Sequence, residues 1–252
     1  MPLVEEGLWN LVKKQYFLKL KSYKGFLSTL VVAQLFAMLF SLNGIGTSSM
    51  GTGIIEILAS YYSADVIIIF TMFWGFVMAI TMTTNTYRNE EFTFVSNRLS
   101  SILSSSLFLL AMSVVGGLTA FMAGFVLRDI FYYWSDTFYI NYYGLLDAPF
   151  EMLIGVAAAI LYIFLVSTLG LLIGMLVQQD KAFAIGILVV VISISAVGLI
   201  VSNGNGVSIW QFILGFFIKE SSFPIFVLKV VCVSAVFIYC ANFANHRLEV
   251  RK

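Results

Sequence analysis

The sequence predicts an all-α polytopic membrane protein with six transmembrane helices, an N-terminal amphipathic interfacial helix, and a re-entrant or interfacial segment before the sixth span. Three observations lead there. Of 252 residues, 60% are hydrophobic and 11% charged, against about 25% charged in soluble domains. A water-soluble chain of this length needs a polar skin that this composition cannot supply, so most of the surface faces lipid; the mean hydropathy of +0.97 agrees. Six apolar stretches are long enough to cross ~30 Å of hydrocarbon, which takes about 20 residues at ~1.5 Å each. Finally, the basic residues are distributed unevenly about those stretches. The formal net charge of +1 gives no footing for nucleic acid or another polyanion.

Residues 1–24 are too charged to cross the bilayer and form a separate cytoplasmic amphipathic helix, while 25–252 form the transmembrane domain. On a helical wheel Leu8, Trp9, Val12, Tyr16 and Leu20 share one face, with Asn10, Lys13, Lys14 and Lys21 opposite. Lys19 intrudes on the apolar stripe, a position that a lysine snorkelling to the headgroups tolerates. The segment therefore reads as a helix lying along the inner leaflet. The alternative is a charged tail that only enforces topology.

The six spans run roughly Gly25–Asn43, Ala64–Asn85, Leu99–Leu127, Glu151–Val177, Lys181–Ser202 and Pro224–Phe243. Long apolar runs with scattered glycine fit helices, not the ~10-residue alternating segments of barrel strands. With six spans both termini share one side. Lys13, Lys14, Lys19, Lys21, Lys24, Arg88, Arg98, Lys181, Arg247, Arg251 and Lys252 lie there, and only Arg128, Lys219 and Lys229 lie opposite. Because Lys and Arg are retained inside, both termini are expected in the cytoplasm of a cell whose plasma membrane the chain spans. The N-terminus opens with Glu5 and Glu6, and no small-residue cleavage site follows the first apolar run.

The connections differ. Inside, residues 86–98 form a short charged, aromatic piece, and Gln178-Gln179-Asp180 makes a tight turn. Outside lie Gly44–Ser63, Arg128–Phe150 and Asn203–Phe223. The last contains the apolar run Val207–Ile218, too short to span and therefore re-entrant or interfacial. Tyr132, Tyr133, Trp134, Tyr139, Tyr142 and Tyr143 fit either a headgroup aromatic belt or a platform for stacking a ligand.

Marks of intramembrane catalysis are missing. The single histidine, His246, follows the last span, so neither a histidine-paired serine site within the bilayer nor a His-Glu-x-x-His zinc site can be built. Glu90-Glu91 lacks histidine partners at bilayer depth. There is no Gly-x-x-x-x-Gly-Lys-Ser/Thr loop, so ATP-driven work needs a separate subunit. The spans are nearly bare of ionisable groups, which usually mark ion-coupled transport. Lys229, about one and a half turns into the sixth span, either snorkels outward or lines a polar cavity and pairs with Glu220. Cys232 and Cys240 share one apolar run and are expected to pack as small hydrophobes, not to bridge. Gly116-Gly117 and Gly170-x-x-x-Gly174 match the small-residue patterns that let helices approach, a pattern also common in lipid-facing helices.

Taken together, the basic amphipathic helix Leu8–Tyr23, six spans with both ends inside, the charged link Thr83-Thr84-Asn85-Thr86-Tyr87-Arg88-Asn89-Glu90-Glu91-Phe92 and the broken apolar hairpin at Val207–Ile218 resemble the permease subunits of ABC-2-type exporters. The resemblance covers nearly the whole chain. It implies that the link between spans two and three is a coupling helix docking on a separate ATP-binding-cassette ATPase, through Tyr87, Arg88, Glu90, Glu91, Phe92, Phe94 and Arg98. At the start of the third span, where many members carry a lysine, this chain has Ser100, Ser101, Ser104, Ser105 and Ser106. The resemblance further implies a homo- or heterodimer of permeases on two ATPase chains, with ATP and Mg bound by those chains and no cofactor here. Similar short permeases often export antimicrobial peptides or confer resistance to them, and sometimes move lipids or small drugs. The rivals are an ATP-independent secondary transporter and a non-transporting immunity or scaffold protein.

Overall fold

The computed structural model describes residues 8–22, 25–42, 46–51, 56–61, 65–84, 98–134, 149–179 and 222–247. Among them are six helices: α1 (Leu8–Ser22), α2 (Gly25–Ser41), α3 (Asp65–Thr83), α4 (Arg98–Trp134), α5 (Pro149–Gln179) and α6 (Phe223–Arg247). One antiparallel hairpin joins α2 to α3, with β1 (Gly46–Gly51) paired to β2 (Glu56–Tyr61) in a register from Gly46↔Tyr61 to Gly51↔Glu56.

Helix boundaries follow from local chemistry. Pro149 stands first in α5, where its missing N–H costs nothing, and Glu151 places a carboxylate in the positive first turn. In α6 Pro224 is second, and the Phe226 amide donates to the Ser222 carbonyl at 3.1 Å. Hydroxyls inside the apolar helices donate back to their own turns: Ser28 to the Gly25 carbonyl, Thr81 to Val77, Ser113 to Leu109 and Ser167 to Ile163. Polar atoms in an apolar setting are thereby satisfied without a partner helix.

Four helical stretches are long and apolar enough to cross a membrane: Asp65–Thr83, Leu99–Ile130, Pro149–Gln179 and Phe223–Ala244. A fifth is obtained if α1 and α2, bent by 57° to each other, count as one span. The four correspond to the expected second, third, fourth and sixth spans; the expected first, Gly25–Asn43, reaches spanning length only when α1 is counted with α2, and the expected fifth, Lys181–Ser202, lies outside the described residues. The third runs past its expected end at Leu127 to Trp134, because no Gly or Pro interrupts Arg128–Trp134. The second connection also differs from expectation. Gly44–Ser63, read as a loop, contains the hairpin, since a chain that leaves α2 and returns beside it into α3 satisfies its backbone groups by pairing with itself.

Packing fixes the helix directions. Trp74 of α3 bonds Thr29 of α2, Thr71 meets Gln34, and the Phe70 ring lies 5.6 Å from Phe40, so α2 and α3 are antiparallel. Between α3 and α5 the order is reversed. A Cβ on Gly75 would fall 2.6 Å from the Ser167 hydroxyl, one on Gly170 would fall 2.6 Å from the Phe76 carbonyl oxygen, and one on Gly174 would meet Ile80 and Thr83. Partners rise together along both helices, so α3 and α5 are parallel. The Gly170-x-x-x-Gly174 pattern is thus a helix contact and not a lipid face. Gly116 backs onto Thr71 of α3 while its neighbour Gly117 backs onto Ile160 of α5, so consecutive glycines admit two different helices to α4.

Tyr162 of α5 stacks on Phe226 near the start of α6, at 4.9 Å between rings. Ile238, Ala241 and Ala244 near its end join the cluster containing Leu171 and Met175 near the end of α5. Helices α5 and α6 are therefore parallel as well. The bundle has an α1 end, holding the starts of α2 and α4 and the ends of α3, α5 and α6, and an opposite hairpin end. The main apolar cluster joins Leu30, Trp74, Met78, Phe108, Leu109 and Leu171 toward the α1 end.

Candidate functional site

Among the described residues, two seams of buried polar side chains join one helix to another. The first joins α1 to the opening turns of α4. Val12, Gln15, Tyr16 and Lys19 recur at helical spacing on one face of α1. Ser100, Ser101, Ser104 and Ser105 do the same on α4. The Lys19 ammonium, only 4% exposed, donates to the Ser105 hydroxyl at 2.5 Å and to the Ser101 carbonyl at 3.2 Å. The Ser104 hydroxyl lies 2.8 Å from the Ser101 carbonyl and 3.3 Å from the Gln15 amide oxygen. Val12 is fully buried beside this cluster, and Tyr16 packs on the main apolar core.

This corrects the expected orientation of α1. Lys19 does not snorkel: the serine-rich start of α4 offers it oxygens within the protein, and binding them turns the helix. The stripe read as one lipid face is split. Val12 and Tyr16 go to α4, whereas Trp9, 66% exposed, and Leu20 stay outside with Phe17. Lys13 and Lys14 are exposed, as the wheel requires.

The second seam lies halfway along α2. The Gln34 side-chain amide, 6% exposed, donates at 2.9 Å to the Thr119 hydroxyl and approaches the Thr71 hydroxyl and the Gly116 carbonyl at 3.3 Å each. Five residues earlier, the Trp74 indole N–H donates to Thr29 at 2.9 Å. One glutamine thus ties α2, α3 and α4 together. The geometry suits it, because Thr71 and Thr119 already donate to carbonyls of their own helices and keep lone pairs free to accept.

Of the other sequence-derived candidates, Tyr87, Arg88, Glu90, Glu91, Phe92 and Phe94 lie outside the described residues, as does Glu220. Arg98 opens α4. Lys229 sits half-buried in the second turn of α6. Cys232 and Cys240 are both free and exposed on α6, not packed inside, because the small inward positions there belong to Ser234, Ala241 and Ala244. No group of three or more His, Cys, Asp or Glu side chains gathers among the described residues. Sequence reading passed over Gln15 and Gln34. The signal for Gln15 was its i, i+4 spacing with Lys19 facing serines at i, i+3 and i+4; for Gln34 it was an amide in the middle of a span, where polarity costs most.

Comparison with protein-family models, with curated proteins and with solved structures finds no match to the chain.

Proposed function

We propose that this chain is the membrane-spanning permease subunit of an ATP-driven exporter of the ABC-2 type, working as a homo- or heterodimer on two separate ATPase chains that bind ATP and Mg. The carrying observation is the buried seam between α1 and the first turns of α4. Helix α4 starts at Arg98, where the proposed coupling segment 86–98 ends. A push on that segment by a closing ATPase would enter α4 directly, and α1, pinned at Ser101 and Ser105, would move with it. Helix α4 then meets α3 and α5 through Gly116 and Gly117, close contacts that transmit displacement instead of absorbing it.

Six spans with both termini cytoplasmic in the plasma membrane complete the proposal. Its support is the parallel course of α5 and α6, which requires the chain between Gln179 and Ser222 to regain the hairpin end, and the apolar run Lys181–Ser202 supplies a fifth crossing. The cargo fits an amphipathic peptide, a lipid or a drug-like molecule better than an ion, since the charged residues of α2 to α6 all lie within about two turns of a helix end, Arg128, Asp129 and Lys229 being the deepest.

The test is co-purification from a native membrane, with ATP hydrolysis measured in the same detergent. An ATPase chain should co-elute. Phe92→Ala with Phe94→Ala should weaken its association at least about tenfold, and Glu90→Lys with Glu91→Lys should weaken it in a salt-dependent way. Absence of any ATPase from the purified assembly would favour the immunity, scaffold or secondary-transporter readings instead.

A further inference from the structure

Lys229 is within about two turns of the start of α6, but that start lies well inside the bundle. Helix α3, Asp65–Thr83, has membrane length, and its ~28 Å rise matches a ~30 Å hydrocarbon core, so Asp65 and Thr83 mark the two faces. Thr71, inward of Asp65 on α3, backs onto Gly116 of α4, and the next residue, Gly117, backs onto Ile160 of α5. Slightly further inward on α5, Tyr162 stacks on Phe226 of α6. Lys229 lies almost one turn beyond Phe226, and its neighbour Val230 shares a cluster with Leu165 of α5. At ~1.5 Å per residue, this ladder of contacts sets the Lys229 backbone about 15 Å below the level of Asp65, in the middle of the core.

Outward snorkelling falls short from there, because the headgroups are farther away than the four-carbon stem of a lysine reaches. The Lys229 side chain has an interaction within the protein, and that interaction leaves part of it uncovered. A partly uncovered ammonium at this depth belongs beside water or polar groups and not beside acyl chains. The flank of α6 that carries it also carries Ser222 and Ile225, both exposed, at i, i+3 and i+7 spacing. These three positions descend in one line from the hairpin side to mid-depth. Helix α5 rises on past the start of α6 to Pro149, so α6 begins beside a taller wall.

We infer that a water-filled recess runs from the hairpin side down this flank of α6 to Lys229. It would let the polar part of an amphipathic solute reach the middle of the bilayer without entering hydrocarbon. The inference needs only that the bundle sits in a bilayer, and it is independent of the exporter reading.

The test places single cysteines in the full chain, after Cys232→Ala and Cys240→Ala, and treats sealed membrane vesicles of each orientation with an impermeant, water-soluble methanethiosulfonate. Ser222→Cys identifies the hairpin side. Lys229→Cys should react from that side within about tenfold of the Ser222→Cys rate. Val31→Cys, 55% exposed on α2 and at the same depth through Gln34 and Thr71, should be at least about a hundredfold slower, since hydrocarbon keeps a thiol protonated. Ile225→Cys, which retains the lysine, should react from the same side as Lys229→Cys. Rates at both α6 positions as slow as at Val31→Cys would overturn the inference. So would reaction at Ile225→Cys alone, which would end the recess short of mid-depth, or reaction of Lys229→Cys only from the side opposite Ser222. If the hairpin side proves cytoplasmic while Lys229→Cys still reacts from it, the exporter topology falls and the recess stands.

Discussion

The Lys19 ammonium of α1 hydrogen-bonds the Ser105 hydroxyl of α4 across 86 positions of sequence, in a place almost closed to solvent. A lysine that the helical wheel sets as an intruder in an apolar stripe is thus what holds that stripe to the bundle. Removing one partner of a buried charged contact costs more than removing both, because the remaining charge keeps its desolvation cost. Ser105→Val should therefore loosen α1, raising tryptic cleavage at Lys13 and Lys14 in the detergent-solubilised protein by about tenfold, or ~1.4 kcal/mol. Ser105→Val combined with Lys19→Met should recover much of the protection. A double variant as labile as the single would show that the contact does not hold α1.

Glycine spacing gives a sharper contrast. A methyl on Gly170 meets the Phe76 backbone, which cannot rotate away, whereas one on Gly155 meets nothing within 4 Å. Gly170→Ala should lower stability by about 1–3 kcal/mol as α3 and α5 are forced apart. Gly155→Ala should be neutral or raise it by up to ~1 kcal/mol through helix propensity alone. Thermal unfolding of both in one detergent decides it; equal shifts would remove the close contact from the account.

At Gln34, substitution by Leu removes the donor but leaves Thr71 and Thr119 bonded to their own helices. The loss should be modest, about 0.5–2 kcal/mol. Trp74→Phe, which drops the bond to Thr29 and also empties part of a ring site in the main apolar cluster, should cost about 1–3 kcal/mol. Because the two bonds share no atoms, the double variant should be nearly additive; strong coupling would mean that they form one network.

The parallel course of α5 and α6 predicts that Gln179 and Ser222 stand on opposite sides of the membrane. After Cys232→Ala and Cys240→Ala remove the exposed native thiols, single cysteines at Gln179 and Asn89 should react with an impermeant maleimide only from the cytoplasmic side. Cysteines at Ser222 and Ser135 should react only from outside. Labelling of Gln179 and Ser222 from the same side would rule out the fifth crossing.

The sequence by itself determined that long apolar helices dominate the chain and where four of the membrane-length ones run, because the cost of leaving backbone groups unpaired in hydrocarbon turns any uninterrupted apolar run of that length into a helix. It also marked the change in character near Ser22, where charge stops and the apolar run begins. What it could not determine was facing. In a span that is apolar all round, hydropathy carries no phase, so nothing distinguished a glycine toward lipid from Gly170 against Phe76, or an amide toward a neighbour from Gln34 left stranded. The α1 stripe shows the same limit from the other side. Its periodicity was real, but the choice between lipid and protein for Val12, Tyr16 and Lys19 rested on serines 86 residues away, a long-range match that only the packed structure makes.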